Sequence, residues 1–254
     1  MTAPRLTVSG ITATPVRVPM NHVLGTSAAA IREAPLLLLD LHTHEGITGR
    51  AYQFCYVAAA AHAIVELLRD TREAIVDEVV APAELWARLA KRYTLIGVQG
   101  IVRMCMSLVD TAAWDALAKA AGVPLATYLG AAPRAIPAYN SNGLGLMPPA
   151  ALADEAEELV AEGFRAVKLR LGYATLEDDL AALAAVRKRV GEDVSIMVDY
   201  NQALNVPEAI RRGHALDREG VYWIEEPIRH DDYEACAKVA AALRTASTYP
   251  ACVP

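Results

Sequence analysis

Three short stretches of this sequence combine charge with the spacing of a strand. Lys168 and Arg170 stand two apart in RAVKLRLGY, Asp199 and Asn201 two apart in IMVDYN, and Glu225 and Glu226 close the apolar run VYWIEEP. Side chains two apart on a strand point to the same side, so the Lys-x-Arg pair aims two cations at one place. Charged side chains are seldom buried unless they are paired or at work. Two carboxylates from neighbouring strands beside two cations make a hard-metal site, since divalent cations of this class take oxygen donors. The same acids would balance the charge of Lys168 and Arg170. A fourth stretch, AYNS, offers Tyr139, Asn140 and Ser141.

The elements that must position these residues follow from the pattern. From about Ala135 the chain alternates strand-like and helix-like segments: AIPAYNS, then PPAALADEAEELVAEG; FRAVKLRLG, then LEDDLAALAAVRKRVG; DVSIMVDYN, then VPEAIRRGHALDREG; VYWIEEP, then DDYEACAKVAAALR. Strands alternating with helices over short links predict parallel β/α architecture, with strands apolar on both faces. In such folds function collects at the C-terminal ends of the strands, and the polar groups recur at that end. The first half differs. LTVSGITATPVRVP predicts one long strand, and APLLLLDLHTHEGITGRAYQF a hairpin turning at Glu45-Gly46. AAAAHAIVELLRDTREAIVDEVV predicts helix broken near Arg69-Asp70-Thr71. PAELWARLAKRYT begins a helix at Pro82, and QGIVRMCMSLVDTAAWDALAKAAG gives a helix that stops at Gly122. The fold class expected is α/β: an α+β unit over 1–132, then a β/α domain of about four units over 133–254.

Composition narrows the function classes. The 254 residues carry a net charge of −6, which with no Lys/Arg-rich run argues against a nucleic-acid partner. Cys55, Cys105, Cys236 and Cys252 are far apart with no C-x-x-C pair, so they are expected to be buried thiols in a reducing compartment. The start, MTAPRLTVSG, lacks the pattern of a signal peptide, and no apolar run reaches the length of a membrane span. A cytoplasmic protein with no membrane partner is the expectation.

AVKLRLGY, IMVDYNQALNVPEAI and GVYWIEEP resemble the enolase superfamily, and within it the mandelate racemase/muconate lactonizing enzyme family, mandelate racemase subgroup. The resemblance extends back through APLLLLDLHTHEGITG, RMCMSLVDTAAWDALAKAAGVPL and YLGA, and forward to about Arg244. It implies an N-terminal α+β capping domain and a modified TIM barrel. It implies Mg2+, a small-molecule carboxylate substrate (a hydroxy acid or sugar acid), and removal of the proton next to that carboxylate by a racemase or dehydratase. By resemblance Asp199 and Glu225 are two metal ligands, Asn201 lies in or beside the next shell around the metal, and Lys168 binds the substrate carboxylate. Arg170 stands where relatives carry a Lys that acts as base, and Ser141 where relatives contact the substrate carboxylate. Glu226 belongs to the same strand end. Relatives cover the active site with the loop that holds His22 and with the YQFCY segment, which makes His22, Tyr52 and Tyr56 candidate specificity residues.

Two departures qualify these implications. Arg stays protonated at any reachable pH, so Arg170 suits anion binding better than proton abstraction, which weakens the racemase reading more than the dehydratase one. A complete barrel takes about 250 residues, and the capping unit uses half of this chain. The family's third metal-ligating carboxylate and its opposite-face Asp–His pair have no place here, and TASTYPACVP lacks a strand pattern. The expectation is therefore a barrel truncated at its C-terminus, with impaired catalysis. The alternative is a non-catalytic remnant or an assembly-dependent fragment, and open strand edges predict a homo-oligomer. The remaining candidates read as structural: His42 and His44 on a solvent-facing hairpin, the acids after His230 as helix caps, Asp110 and Asp115 on a helix, Asp178 and Asp179 at a helix start.

Overall fold

The computed structural model describes residues 5–27 and 29–248; Cys252 and the end of the TASTYPACVP tail lie outside them. The chain forms two compact units, Met1–Pro19 with Glu33–Ala135, and Met20–Arg32 with Ile136–Pro254. We keep 1–132 and 133–254 as the proposed domain division, with the added observation that residues 20–32 group with the second unit.

In the first unit, apart from the residues of 20–32 within them, β1 (Val8–Gly25) and β2 (Ala30–Thr43) form a sheet with β3 (Thr48–Phe54), in the order β1-β2-β3. β2 and β3 pair antiparallel from Leu36↔Phe54 to His42↔Thr48. Leu37, Leu39 and Leu41 alternate into the core while Leu38 stays exposed, the period-two pattern of a sheet covered on one face. Helices α1 (Ala58–Ile75), α2 (Pro82–Arg92) and α3 (Ile101–Ala120) supply Ile64, Leu68, Leu85, Leu89 and Leu108 to that core; each such side chain fully buried contributes about 1.5–3 kcal/mol. A short helix, α4 (Leu125–Tyr128), follows. Gly49 of β3 lies so close to α3 that a Cβ would overlap the Ala112 carbonyl. Helix α1 is not broken near Arg69-Asp70-Thr71 as expected. Tertiary contacts carry it through: Thr71 is buried and its hydroxyl pairs with that of Tyr93 at 2.8 Å, while Asp70 holds Arg92.

In the second unit, α5 (Pro149–Ala161), β4 (Ala166–Arg170), α6 (Leu176–Val190), β5 (Ser195–Asp199), α7 (Val206–Leu216), β6 (Trp223–Glu225), α8 (Tyr233–Ala242) and β7 (Ala246–Thr248) follow one another. The strands pair in parallel in the order β4-β5-β6-β7. Thr175, Asn205 and Asp232 cap α6, α7 and α8 with their side chains, so the acids after His230 do serve the helix start.

The expected first strand, AIPAYNS, is reduced to a single parallel bridge, Asn140↔Val167. Pro137 has no N–H to give a ladder. Beyond Asn140 the left-handed Gly143 (φ 56°) and Leu144 (φ 46°) turn the chain away. The tail corrects the opposite expectation, because Ala246–Thr248 is a strand, paired from Trp223↔Ala246 to Glu225↔Thr248. Asp217 sets it in place by accepting from the amides of Arg244 (3.1 Å) and Thr245 (2.7 Å). Ala-Ser-Thr gives no apolar alternation, so a ladder held by backbone bonds left no signal in the side chains.

Candidate functional site

Strand alternation builds the site. Val167, Leu169, Ile196, Val198 and Ile224 join the core packed with the helices, so Lys168, Arg170, Asp199 and Glu225 project from the other face of the sheet. The ladder makes Arg170 the partner of Asp199, and Asp199 the partner of Glu225. All four charged side chains are buried, at 6%, 7%, 3% and 8% exposure for Lys168, Arg170, Asp199 and Glu225. Two cations and two carboxylates sum to zero, which is what allows burial.

The Lys168 ammonium bridges the two acids, 2.7 Å from Glu225 Oε1 and 3.3 Å from Asp199 Oδ2. It also lies 5.7 Å from the centroid of the Tyr139 ring, a cation–π contact. The remaining carboxylate oxygens have donors: the Asn201 amide gives to Asp199 Oδ1 (2.8 Å) and the Trp223 indole N–H to Glu225 Oε2 (3.3 Å). Arg170 Nη1 donates to the carbonyls of Ser141 and Gly143, both at 2.7 Å, so the loop after Asn140 is tied to β4. Two buried atoms have no partner among the described residues at this end of the sheet, Arg170 Nε and Asn201 Oδ1. Burial pushes Arg170 below its ordinary range, while the charges of Asp199 and Glu225 act the other way.

Around this cluster Asn201, Gln202 and Glu226 all adopt left-handed backbone, with φ of 45°, 65° and 41°, a conformation that costs energy in residues with a side chain. Gln202 links the two turns, its side chain donating to Glu226 (3.2 Å) and meeting His230 Nδ1 at 3.0 Å. Burial raises the Glu226 carboxyl above the ordinary range. His22 Nδ1 lies 2.9 Å from Glu155, whose other oxygen accepts from the Leu144 amide at 2.7 Å. Ser27 Oγ reaches the carbonyls of Tyr200 and Asn201, each at 3.4 Å.

The structure therefore gathers Lys168, Arg170, Asp199, Asn201 and Glu225, with the Ser141 carbonyl on Arg170 and Glu226 one residue on. Tyr52 and Tyr56 belong to the first unit and are exposed there. His42 pairs with Thr12 at 2.9 Å and His44 with Asp77 at 2.9 Å, which accounts for both without a metal. Cys55, Cys105 and Cys236 are buried and form no disulfide among the described residues, and the Cys236 thiol donates to the Arg229 carbonyl at 3.4 Å. Sequence reasoning missed Glu155, Gln202 and the Trp223 indole, whose partners lie far along the chain or depend on a turn. It also read Asp179 only as a residue of a helix start, whereas Asp179 is fully buried against Arg212 and Tyr200. Among the described residues, no group of three or more His, Cys, Asp or Glu side chains is arranged to hold a metal ion, and no helix is long and apolar enough to cross a membrane.

Comparison with known proteins places this geometry in a family. Residues 9–130 match the mandelate racemase / muconate lactonizing enzyme N-terminal domain, and residues 151–250 the enolase C-terminal domain-like family. An enolase from the alpha proteobacterium bal199, solved with bound magnesium, is similar at 40% identity and a TM-score of 0.92, over 96% of this chain and 68% of that one. An enolase from Bradyrhizobium, complexed with magnesium and mandelic acid, is similar at 32% identity and a TM-score of 0.89, over 98% of this chain and 68% of that one. Arabinonate dehydratase from Saccharolobus solfataricus is 30% identical over 82% of this chain and 56% of its own length. Curated relatives include acid-sugar dehydratases and cycloisomerases, and the chain spans 56–62% of the length of three of them. Two domain matches in the expected order, and solved structures that follow nearly the whole chain, show that it belongs to the mandelate racemase/muconate lactonizing enzyme family of the enolase superfamily.

Proposed function

We propose that the strand-end cluster of the second unit binds Mg2+ and a hydroxy or sugar acid, and removes the proton α to the carboxylate, as a dehydratase or racemase does. The observation that carries this reading is the placement of Asp199 and Glu225. They are ladder partners, both buried, and both engaged by one ammonium group. Their carboxylates are hard oxygen donors, and Asn201 Oδ1, on the turn that follows β5, is buried with no partner among the described residues. Mg2+ characteristically takes one or two carboxylates and completes its sphere with water and substrate oxygens, so the residues fit the ion.

When bound, the ion supplies positive charge against the negative charge that grows on the carboxylate as the α proton leaves. The chain's own residues do the rest. Asp199 and Glu225 hold the cation, oriented by the Asn201 amide and the Trp223 indole. Lys168 and Arg170 hold the substrate carboxylate. Arg170 keeps its charge throughout and offers an Nε donor that has no partner among the described residues, so it serves the anion, and Lys168 is the one of the pair that can carry a proton. Ser141 and Glu226 border the substrate, and His22 lies at its rim.

The test is exchange of the α proton for solvent deuterium across sugar acids and aryl hydroxy acids, followed by proton NMR with Mg2+ or EDTA. Exchange with Mg2+ and none with EDTA is the expected result; no exchange across the panel refutes catalysis by this chain on those acids. A second reading, a non-catalytic remnant or assembly-dependent fragment, is supported by the presence of only two carboxylates in the cluster. It calls for weak cation binding, and a micromolar Mg2+ dissociation constant for the monomer would refute it.

A further inference from the structure

We propose that Asp179, through Tyr200, is a positioning residue that fixes the Asp199 carboxylate; the inference rests on the reading of Asp199 as a cation ligand. Asp179 is fully buried and lies in the first turn of α6. Its Oδ1 accepts from the amides of Gly172 and Tyr173, each at 2.9 Å. Its Oδ2 accepts from the Tyr200 hydroxyl (2.9 Å) and from Arg212 Nη1 (2.6 Å). Arg212 in turn reaches the Tyr173 carbonyl (3.0 Å) and Glu208 (2.6 Å). One carboxylate thus holds the turn that leaves β4, the residue that follows β5, and α7.

The placement of these contacts gives them a role beyond packing. Gly172 and Tyr173 come directly after the strand of Lys168 and Arg170. Tyr200 stands between Asp199 and Asn201, and its own amide donates to the Glu225 carbonyl at 3.0 Å. The Asn201 amide is what holds Asp199 Oδ1. Anchoring the Tyr200 ring therefore anchors that amide, and with it the carboxylate. A buried ion pair adds little net stability compared with an apolar replacement, and its best attested use is in fixing one arrangement. Groups that orient a metal ligand from behind change affinity about 10–100-fold when removed.

The experiment compares the whole chain with Tyr200→Phe, which deletes one hydroxyl and leaves Asp179 its other three donors. Asp232→Ala, which removes the cap of α8 away from the site, is a control for general loss of stability. Asp179→Asn is a harsher variant, for use only if it folds. Two quantities are read: the Mg2+ dissociation constant by calorimetry, and hydrogen exchange of the Asn201 amide by NMR without metal. Tyr200→Phe is expected to weaken Mg2+ binding about tenfold and to speed Asn201 exchange about tenfold, with neither change in Asp232→Ala. An unchanged Asn201 exchange rate overturns the inference, as does an unchanged dissociation constant, or equal effects in the control. If the unaltered chain binds no Mg2+, the functional reading fails and the exchange measurement alone decides the positioning.

Discussion

Replacing Lys168 by Met removes the ammonium at the centre of the cluster and keeps most of the aliphatic stem. In the native arrangement that ammonium lies 2.7 Å from Glu225 and 3.3 Å from Asp199. The cluster of two cations and two carboxylates then goes from neutral to a net −1, with Asp199 and Glu225 only 3% and 8% exposed. Taking one partner from a buried ion pair costs about 3–5 kcal/mol, because the remaining charge is left uncompensated. With a slope of about 1–3 kcal/mol per molar urea, that loss moves the midpoint on the order of 2 M. Mg2+ offers those carboxylates a replacement cation, and a ligand at a hundred times its dissociation constant returns about 2.7 kcal/mol. The variant should therefore be much less stable than the parent in EDTA and recover part of the difference in Mg2+, because the parent, with its ammonium in competition, gains less from the ion. It should also bind Mg2+ more tightly than the parent, since the competing ammonium is gone. The assay is urea unfolding followed by tryptophan fluorescence, in both conditions. A loss below about 1 kcal/mol in EDTA would refute the burial argument. A loss that is the same with and without Mg2+ would refute Asp199 and Glu225 as the cation's ligands.

Two further predictions concern the first unit. The Tyr93 hydroxyl is buried against Thr71, Leu67 and Asp70, and burial pushes its pKa up to about 12. A raised phenol favours the protonated folded state, so its contribution is complete below pH ~10 and is lost as pH climbs through about 12, a total of about 2–3 kcal/mol. Tyr93→Phe should remove that part of the alkaline slope in a stability–pH titration, and an unchanged slope would refute it. Gly49→Ala forces a methyl into the Ala112 carbonyl, where backbone cannot step aside. A cost of at least about 3 kcal/mol is expected from thermal unfolding, and a Tm within a degree or two of the parent would contradict the close approach.

Much of the site was legible before any fold was known, for a simple reason. Strand periodicity fixes which side chains share a face, so Lys168 and Arg170, and the strand-end positions of Asp199 and Glu225, could be placed from spacing alone. What joins them could not. Glu155 meets His22 from 133 residues away, Gln202 acts through two left-handed turns, and Asp179 turned from a helix-start acid into a buried hub only when Tyr200 and Arg212 came to it. The same limit explains the errors in the elements. Arg69-Asp70-Thr71 looked like a break because its polar side chains carry no sign of Tyr93 and Arg92. AIPAYNS looked like a strand but finds only one bridge, and Ala246–Thr248 became a strand through backbone bonds and Asp217.

Residue type and local period were enough for the face on which each charge lies, the strands of Lys168, Asp199 and Glu225, and the family. Only the folded chain could decide that one ammonium serves both acids, that Arg170 spends an arm on the carbonyls of Ser141 and Gly143, and that Arg170 Nε and Asn201 Oδ1 have no partner among the described residues. Distances of this kind arise between strands and turns remote in the chain, and no local pattern encodes them.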